Sequence, residues 1–255
     1  MDLGIKDRVA IVTGLANPQG IGRAIAAALA MEGCDIACLD QDPEGVNSAA
    51  AQIRDLGRRS IAVTVDQSDY EQVKKAVNSV EQEFGQIDIL VNNAALLGNV
   101  SLIKNMSVAN WDKEMSVNLS GPFYFVKEVF PKMMSRGWGR ILNISSIAGI
   151  GGSYGQVGYS STKAGLIGLT RTMALEGAKY GVTSNILMLG LINSAALRAH
   201  IREDMIESIV RDNAVRRLGT VQEVGDMAAF LLSDRASFVT GAEIIMDGGH
   251  TLLVS

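Results

Sequence analysis

The sequence predicts a doubly wound α/β fold, with seven parallel strands in one sheet and helices on both faces. Three observations predict it. Short β-branched runs alternate with longer runs of helical period along all 255 residues. The strand runs are almost continuously apolar, as strands must be when helices cover both faces of a sheet. A glycine loop closes the first strand run and opens the first helical run, the order found at the ligand-binding end of such sheets. With 47% hydrophobic and 20% charged residues, the chain can fill one large core, and a single domain spanning 1–255 is expected.

In chain order, strands are expected at 9–13, 35–40, 60–65, 87–92, 139–145, 183–189 and 242–247. Helices are expected at 20–32, 44–56, 70–84, 108–134, 159–180 and 221–232. Asp69 and Ser107 precede helical runs as N-caps, with Glu71 and Asp112 placed for the first turns. Gly57, Gly85 and Gly181 stand where helices stop. The segment 190–219 is helical in character and interrupts the alternation after the sixth strand. It opens at the carboxyl ends of the strands, so a lid over a substrate pocket is expected there.

The net charge is −4 with both signs interspersed, which argues against a nucleic-acid or membrane surface. Cys34 and Cys38 flank a strand run and read as small core residues, as suits a reducing compartment. His200 and His250 lie far apart, and no metal site is expected. No apolar run approaches the ~20 residues of a membrane span, and no leader is expected before the first strand. A cytoplasmic protein acting on a small molecule is the expectation.

The stretch Thr13 to Gly22 reads TGLANPQGIG. A pyrophosphate needs backbone N–H groups and an approach free of Cβ atoms; glycines opening a helix supply both, and the helix dipole favours the anion. Gly14 ends the strand, and Gly20 and Gly22 open the helix. The next strand ends in Asp40, placed for the ribose hydroxyls of NAD. No arginine or lysine adjoins Asp40 to hold a 2′-phosphate, so NAD is favoured over NADP.

Further on, Tyr159 and Lys163 lie at i and i+4, one turn apart on one helix face. A phenol titrates near ~10, and an adjacent ammonium favours the phenolate. Lys163 is thus expected to make Tyr159 a usable acid and base, with Ser146 at a strand end to hold the substrate oxygen.

Together these stretches resemble the short-chain dehydrogenase/reductase family, in its single-domain branch of about 250 residues, over essentially the whole chain. The resemblance rests on TG…GIG, Asp66 in TVDQSD, Asn92–Ala95 as NNAA, Asn118 in SVNLSGPF, Ser146, the Tyr159/Lys163 pair and DGG at Asp247–Gly249. It implies a Rossmann-type dehydrogenase with the tetrad Asn118, Ser146, Tyr159 and Lys163. Tyr159 then carries the proton, Ser146 polarises the oxygen, Lys163 binds the nicotinamide ribose, and Asn118 holds a relaying water. Implied cofactor contacts also include Gly14, Gln19, Gly20, Ile21, Gly22, Asp40, Asp66 and Gln67, and further along Asn92, Ala94, Gly190, Ile192 and Ser194.

Three departures stand out. The glycine loop is two residues longer than T-G-x-x-x-G-x-G, so 16–19 are expected to bulge on the adenosine-ribose side. Longer loops also occur among enoyl reductases of the family, but those use another tyrosine–lysine spacing. Leu189-Gly190 replaces the usual P-G, and NNAA replaces NNAG. A substrate pocket is expected from Leu96, Leu97, Ile147, Gly152, Tyr154, Met188, Leu191 and parts of 195–209. Its apolar lining suits the interconversion of a hydrophobic secondary alcohol and its ketone. Two alternatives share the fold: a non-catalytic partner subunit of a hetero-oligomeric dehydrogenase, and a 3-oxoacyl-thioester reductase. For the latter, the carrier-docking positions fall at Gly137 and Tyr180, neither basic, with Arg136 and Arg140 near. The resemblance implies a homotetramer, with 108–134 and 159–180 at one interface, eased by Gly165 and Gly168, and the tail HTLLVS at a second.

Overall fold

The computed structural model describes residues 2–252. The strands are β1 (Val9–Thr13), β2 (Asp35–Asp40), β3 (Ser60–Thr64), β4 (Ile89–Asn92), β5 (Gly139–Ser146), β6 (Val182–Leu189), β7 (Ile192–Asn193), β8 (Gly219–Thr220) and β9 (Glu243–Met246). The helices are α1 (Ile21–Met31), α2 (Pro43–Asp55), α3 (Tyr70–Phe84), α4 (Val108–Met115), α5 (Gly121–Arg136), α6 (Ala148–Gly151), α7 (Val157–Gly177), α8 (Ala195–His200), α9 (Glu203–Asp212) and α10 (Val221–Leu231). Seven strands form one parallel sheet in the order β3-β2-β1-β4-β5-β6-β9. The order reverses between β1 and β4, which opens a crevice at their carboxyl ends.

Each sheet face carries a core. On one side Ile25 and Leu29 of α1, Val46 and Ile53 of α2 and Val224 and Ala228 of α10 pack together. On the other, Val73 and Val77 of α3, Phe125 and Val129 of α5 and Met173 of α7 do the same. Cys34 and Cys38 are free and buried, and burial pushes their thiols up to about 12 and about 11. No helix among the described residues is long and apolar enough to cross a membrane.

Local signals explain most boundaries. Asp69 accepts the N–H groups of Glu71 and Gln72, and Ser107 that of Asn110. Asp112, however, lies beyond the first turn of α4, which holds no acid. Caps that escape the sequence reading include Asp42 for α2 and a reciprocal Thr220–Glu223 box for α10.

The helix expected at 108–134 is interrupted. A π-helical turn, Ser116–Ser120, separates α4 from α5. Pro122 has no N–H to offer the Asn118 carbonyl four residues earlier, so the regular ladder cannot pass through this point. The small parallel pair β7–β8 was also not anticipated; it closes the base of the segment carrying α8 and α9. Gly165 proves to be an internal contact, since a Cβ there would press on Leu119, whereas Gly168 faces open space. The tail is described only to Leu252, which is exposed; 253–255 lie outside the described residues.

One buried hydroxyl joins the two strands at the crevice. Thr13 Oγ1 accepts the N–H groups of Asn93 and Ala94, both at 3.0 Å, and donates to the Val91 carbonyl at 3.3 Å. Thr13→Val keeps the shape and strips both N–H groups of their acceptor. It should cost about 2 kcal/mol or more, read as a lower denaturant midpoint at unchanged slope.

Candidate active site

The glycine loop leaves β1 with Gly14 at φ +73°, and a Cβ there would strike Ala94. A Cβ on Gly22 would lie 2.5 Å from the Gly14 carbonyl oxygen and 2.6 Å from Asn93 Nδ2. That close packing leaves the start of α1 bare. Its N-cap is Gly20, which has no side chain to cap with, and no acid stands in the first turn. The first N–H groups of α1 therefore face the crevice without a capping side chain, the arrangement that takes a phosphate.

The longer loop is held by a residue that sequence reasoning missed. Arg23, buried in α1, donates to the carbonyls of Leu15, Ala16 and Gly45 and to Gln52 Oε1. Its position in an otherwise apolar buried face was the available signal. Ala16 N–H donates to Asp40 Oδ2 at 2.9 Å, and Asp42 N–H to Oδ1 at 3.2 Å, so the half-buried carboxylate is fixed at the strand end. The expected bulge toward the adenosine side describes only half of the loop. Its far end turns the other way, and the Gln19 carbonyl accepts the Ala195 N–H that begins α8, at 3.3 Å. The loop thus spans from Asp40 to the segment above the crevice.

The other residues expected to contact a cofactor fall at framework and surface positions. The Gln67 amide is turned inward onto the carbonyls of Ala94 and Val117. Asn92 is buried and donates to Asn143, which donates to Thr170. Both side chains hold the framework and do not face the crevice. Asp66 stays at the surface, accepting from Ser68 N–H and Oγ. Ile192 packs in the core. Ser194 caps α8 by accepting the Leu197 N–H. A Cβ on Gly190 would meet Asp247.

At the other side of the crevice, Ser146 ends β5, and Tyr159 and Lys163 project from α7. The Ser146 hydroxyl accepts the Ala148 N–H at 3.2 Å and lies near enough to the Tyr159 phenol to lower its pKa. Lys163 is buried, donates to the Ile144 carbonyl at 2.8 Å and stands 5.5 Å from the centroid of the Tyr159 ring. The electrostatics correct the simple pairing argument. Burial pushes the phenol above its ordinary value, and the nearby Ser146 hydroxyl pulls it back only in part. Burial also brings Lys163 down to about 8, so the ammonium acts from a dry position and is held chiefly by a carbonyl.

Asn118 sits in the π-helical turn, buried, with both ends of its amide on the Leu96 backbone: Oδ1 accepts the Leu96 N–H at 2.7 Å, and Nδ2 donates to the Leu96 carbonyl at 3.0 Å. The side chain is therefore committed to the loop after β4.

Leu96, Leu97 and Ile147 are half-buried near these groups, and Tyr154 is 87% exposed. Met188 is fully buried in β6 and has no surface to offer a substrate. Leu191 lines a different cavity, of about 510 Å³, with Val215, Arg217, Ile245 and Thr251. Asn118, Ser146, Tyr159 and Lys163 do not line it.

A parallel seven-stranded sheet with a glycine loop at its switch point, and serine, tyrosine and lysine across the crevice, defines a nucleotide-dependent oxidoreductase fold. The family profile described as Enoyl-(Acyl carrier protein) reductase matches residues 14–251. Nodulation protein G of Azospirillum brasilense is 40% identical over 96% of this chain and 98% of its own. Acetoacetyl-CoA reductase of Cupriavidus necator is 38% identical over 95% and 97%. The structure of an NAD+-bound xylitol dehydrogenase superposes with a TM-score of 0.90 at 30% identity, covering 96% of this chain and 99% of that one. The chain belongs to the short-chain dehydrogenase/reductase family and is an oxidoreductase of that family.

Lys163 yields a stability prediction. Its folded pKa of about 8 lies below the ordinary 10.5, so between those values the unfolded chain binds more protons and stability rises with pH. Below about 8 the buried charge costs on the order of 3 kcal/mol. Lys163→Met should therefore raise the denaturant midpoint at neutral pH, and the gain should shrink to nothing as pH climbs toward 10.5. A gain independent of pH would mean that packing, and not charge, is responsible.

Proposed function

We propose that the protein is an NAD(H)-dependent dehydrogenase/ketoreductase that interconverts a largely apolar secondary alcohol and its ketone. The observation that carries this reading is the convergence of Ser146, Tyr159 and Lys163 across a crevice from the bare N-terminus of α1. The residues present fit a dinucleotide. The N–H groups of α1 suit the pyrophosphate, and Asp40 suits two ribose hydroxyls while repelling a 2′-phosphate. When bound, the nicotinamide supplies the hydride acceptor or donor at its C4. Tyr159 takes the hydroxyl proton in oxidation and returns it in reduction. Ser146 holds the oxygen beside the phenol. Lys163 favours the phenolate and reaches toward the ribose. The Asn118 carbonyl holds the water that passes the proton outward. The segment 190–219 acts as the lid over the substrate, hinged on β7–β8, and the chain as a whole is one domain.

The half-buried Leu96, Leu97 and Ile147 favour an apolar substrate body. A 3-oxoacyl thioester is the second reading, favoured by the likeness to acetoacetyl-CoA reductase. Against docking of an acidic carrier, Arg140 is buried on Asp234 and main-chain carbonyls, and Arg136 donates to the Ile87 carbonyl. The Y-x-x-x-K spacing likewise argues against enoyl reduction. Assembly as a homotetramer through α4, α5 and α7 accords with exposed Val108, Phe123 and Leu175.

The direct test is a screen of cyclohexanol and 2-alkanols with NAD. Tyr159→Phe should bind NADH as the wild type does and lose turnover by about 10³-fold. Because burial holds the phenol above its ordinary value, ketone reduction should stay flat from about pH 6 to 8 while alcohol oxidation climbs. An oxidation rate indifferent to pH would remove Tyr159 as the base. Asp40→Ala should weaken NADH binding more than NADPH binding in a fluorescence titration. An unchanged preference would shift discrimination to the loop.

A further inference from the structure

Glu114 is a buried acid that the chemistry above does not use. It lies on the inner face of α4, 1% exposed, and its Oε2 has no hydrogen-bond partner. The carboxyl is pressed against the start of α7. A Cβ on Gly158 would collide with Oε2 closer than any real contact, so the glycine just before Tyr159 is what gives the carboxyl its space. The Asn99 side chain, from the loop after β4, and the Tyr159 N–H lie near enough to the carboxyl to lower its pKa.

The start of α7, like that of α1, has no cap from its own segment. Its N-cap, Gln156, makes no side-chain bond, and its first turn contains no acid. The first N–H groups of a helix have no partner within it, and those of the second and third residues are the ones a cap serves. Tyr159 is the third residue of α7. Glu114 brings an acceptor to that N–H from a neighbouring helix, at the helix end that favours an anion.

We propose that Glu114 is a positioning residue for Tyr159: it caps α7 from α4 and, through Asn99, ties the loop after β4 to the helix that carries the proton donor. The same loop is gripped one turn later by Asn118 on Leu96. Glu114 and Asn118, at i and i+4, thus fix that loop against the start of α7 and the crevice at once. Burial pushes the Glu114 carboxyl above its usual range, and Asn99 and the Tyr159 N–H pull it back. Ionisation should therefore be felt at the Tyr159 amide.

The proposal rests on the reading of Tyr159 as the proton carrier, and its test has an arm that needs no turnover. The chain has five tyrosines, so selective nitrogen-15 labelling gives five amide signals, and Tyr159→Phe identifies the one of interest. That signal should move with pH as Glu114 titrates. It should stop doing so in Glu114→Gln, which keeps the shape and an acceptor oxygen. In Glu114→Val the Tyr159 amide should exchange with solvent at least tenfold faster. In the kinetic arm, with an alcohol the wild type oxidises, Glu114→Val should lose about tenfold in kcat at unchanged NADH affinity, and Glu114→Gln should restore most of it. A Tyr159 amide that ignores pH in the wild type, or exchanges no faster in Glu114→Val, overturns the cap. Equal kcat in all three proteins overturns the positioning role. If no alcohol is oxidised at all, the dehydrogenase reading fails while the amide arm still decides Glu114.

Discussion

The Thr13 hydroxyl is the small contact on which the site depends. Strand order reverses between β1 and β4, and the two chains leave the sheet there in different directions: one into the glycine loop, the other toward Leu96. Thr13 Oγ1 collects two N–H groups from the departing β4 chain, and Asn93 Nδ2 returns the bond to the carbonyls of Thr13 and Gly14. Buried main-chain polar groups without partners are costly, so this exchange fixes the width of the crevice. Everything placed across it, from the start of α1 to the loop above Asn118, takes its position from this junction.

Burial governs the other side. Tyr159 and Lys163 are brought to one helix face by their spacing, but the dry interior opposes charge on both, raising the phenol and lowering the ammonium. Their protonation is therefore tuned by local surroundings: the nearby Ser146 hydroxyl for the phenol, the Ile144 carbonyl for the ammonium. A pair that looks on paper like a simple ion-assisted acid is, in the fold, a set of four groups held by β5 and α7 together.

Irregular backbone supplies the rest. The π-helical turn at Ser116–Ser120 lies just before Pro122, whose missing N–H breaks the regular ladder, and it carries the buried Asn118. The lengthened glycine loop costs no order, because Arg23 ties its carbonyls to α1 and α2 while Ala16 and Gln19 bind at its two ends. In both places a departure from regular geometry is compensated by a buried polar side chain that makes several bonds.

The sequence by itself determined the sheet, its seven strands and most of the helices, because apolar runs and helical periods are local properties that burial on two faces enforces along the chain. It also singled out Gly14, Gly20, Gly22, Asp40, Ser146, Tyr159 and Lys163, since spacing along one strand or one helix turn fixes which of them share an end or a face. Tertiary structure alone decided which side chains turn inward. Gln67, Asn92 and Met188 look like site residues in the sequence and serve the framework, while Arg23 and Glu114 look like surface charges and are buried. The physical reason is that a polar group's partner is set by what packs against it, often from a distant part of the chain. Arg23 reaches Gly45, Gln67 reaches Val117, and Glu114 reaches Tyr159, and no period or spacing encodes those meetings.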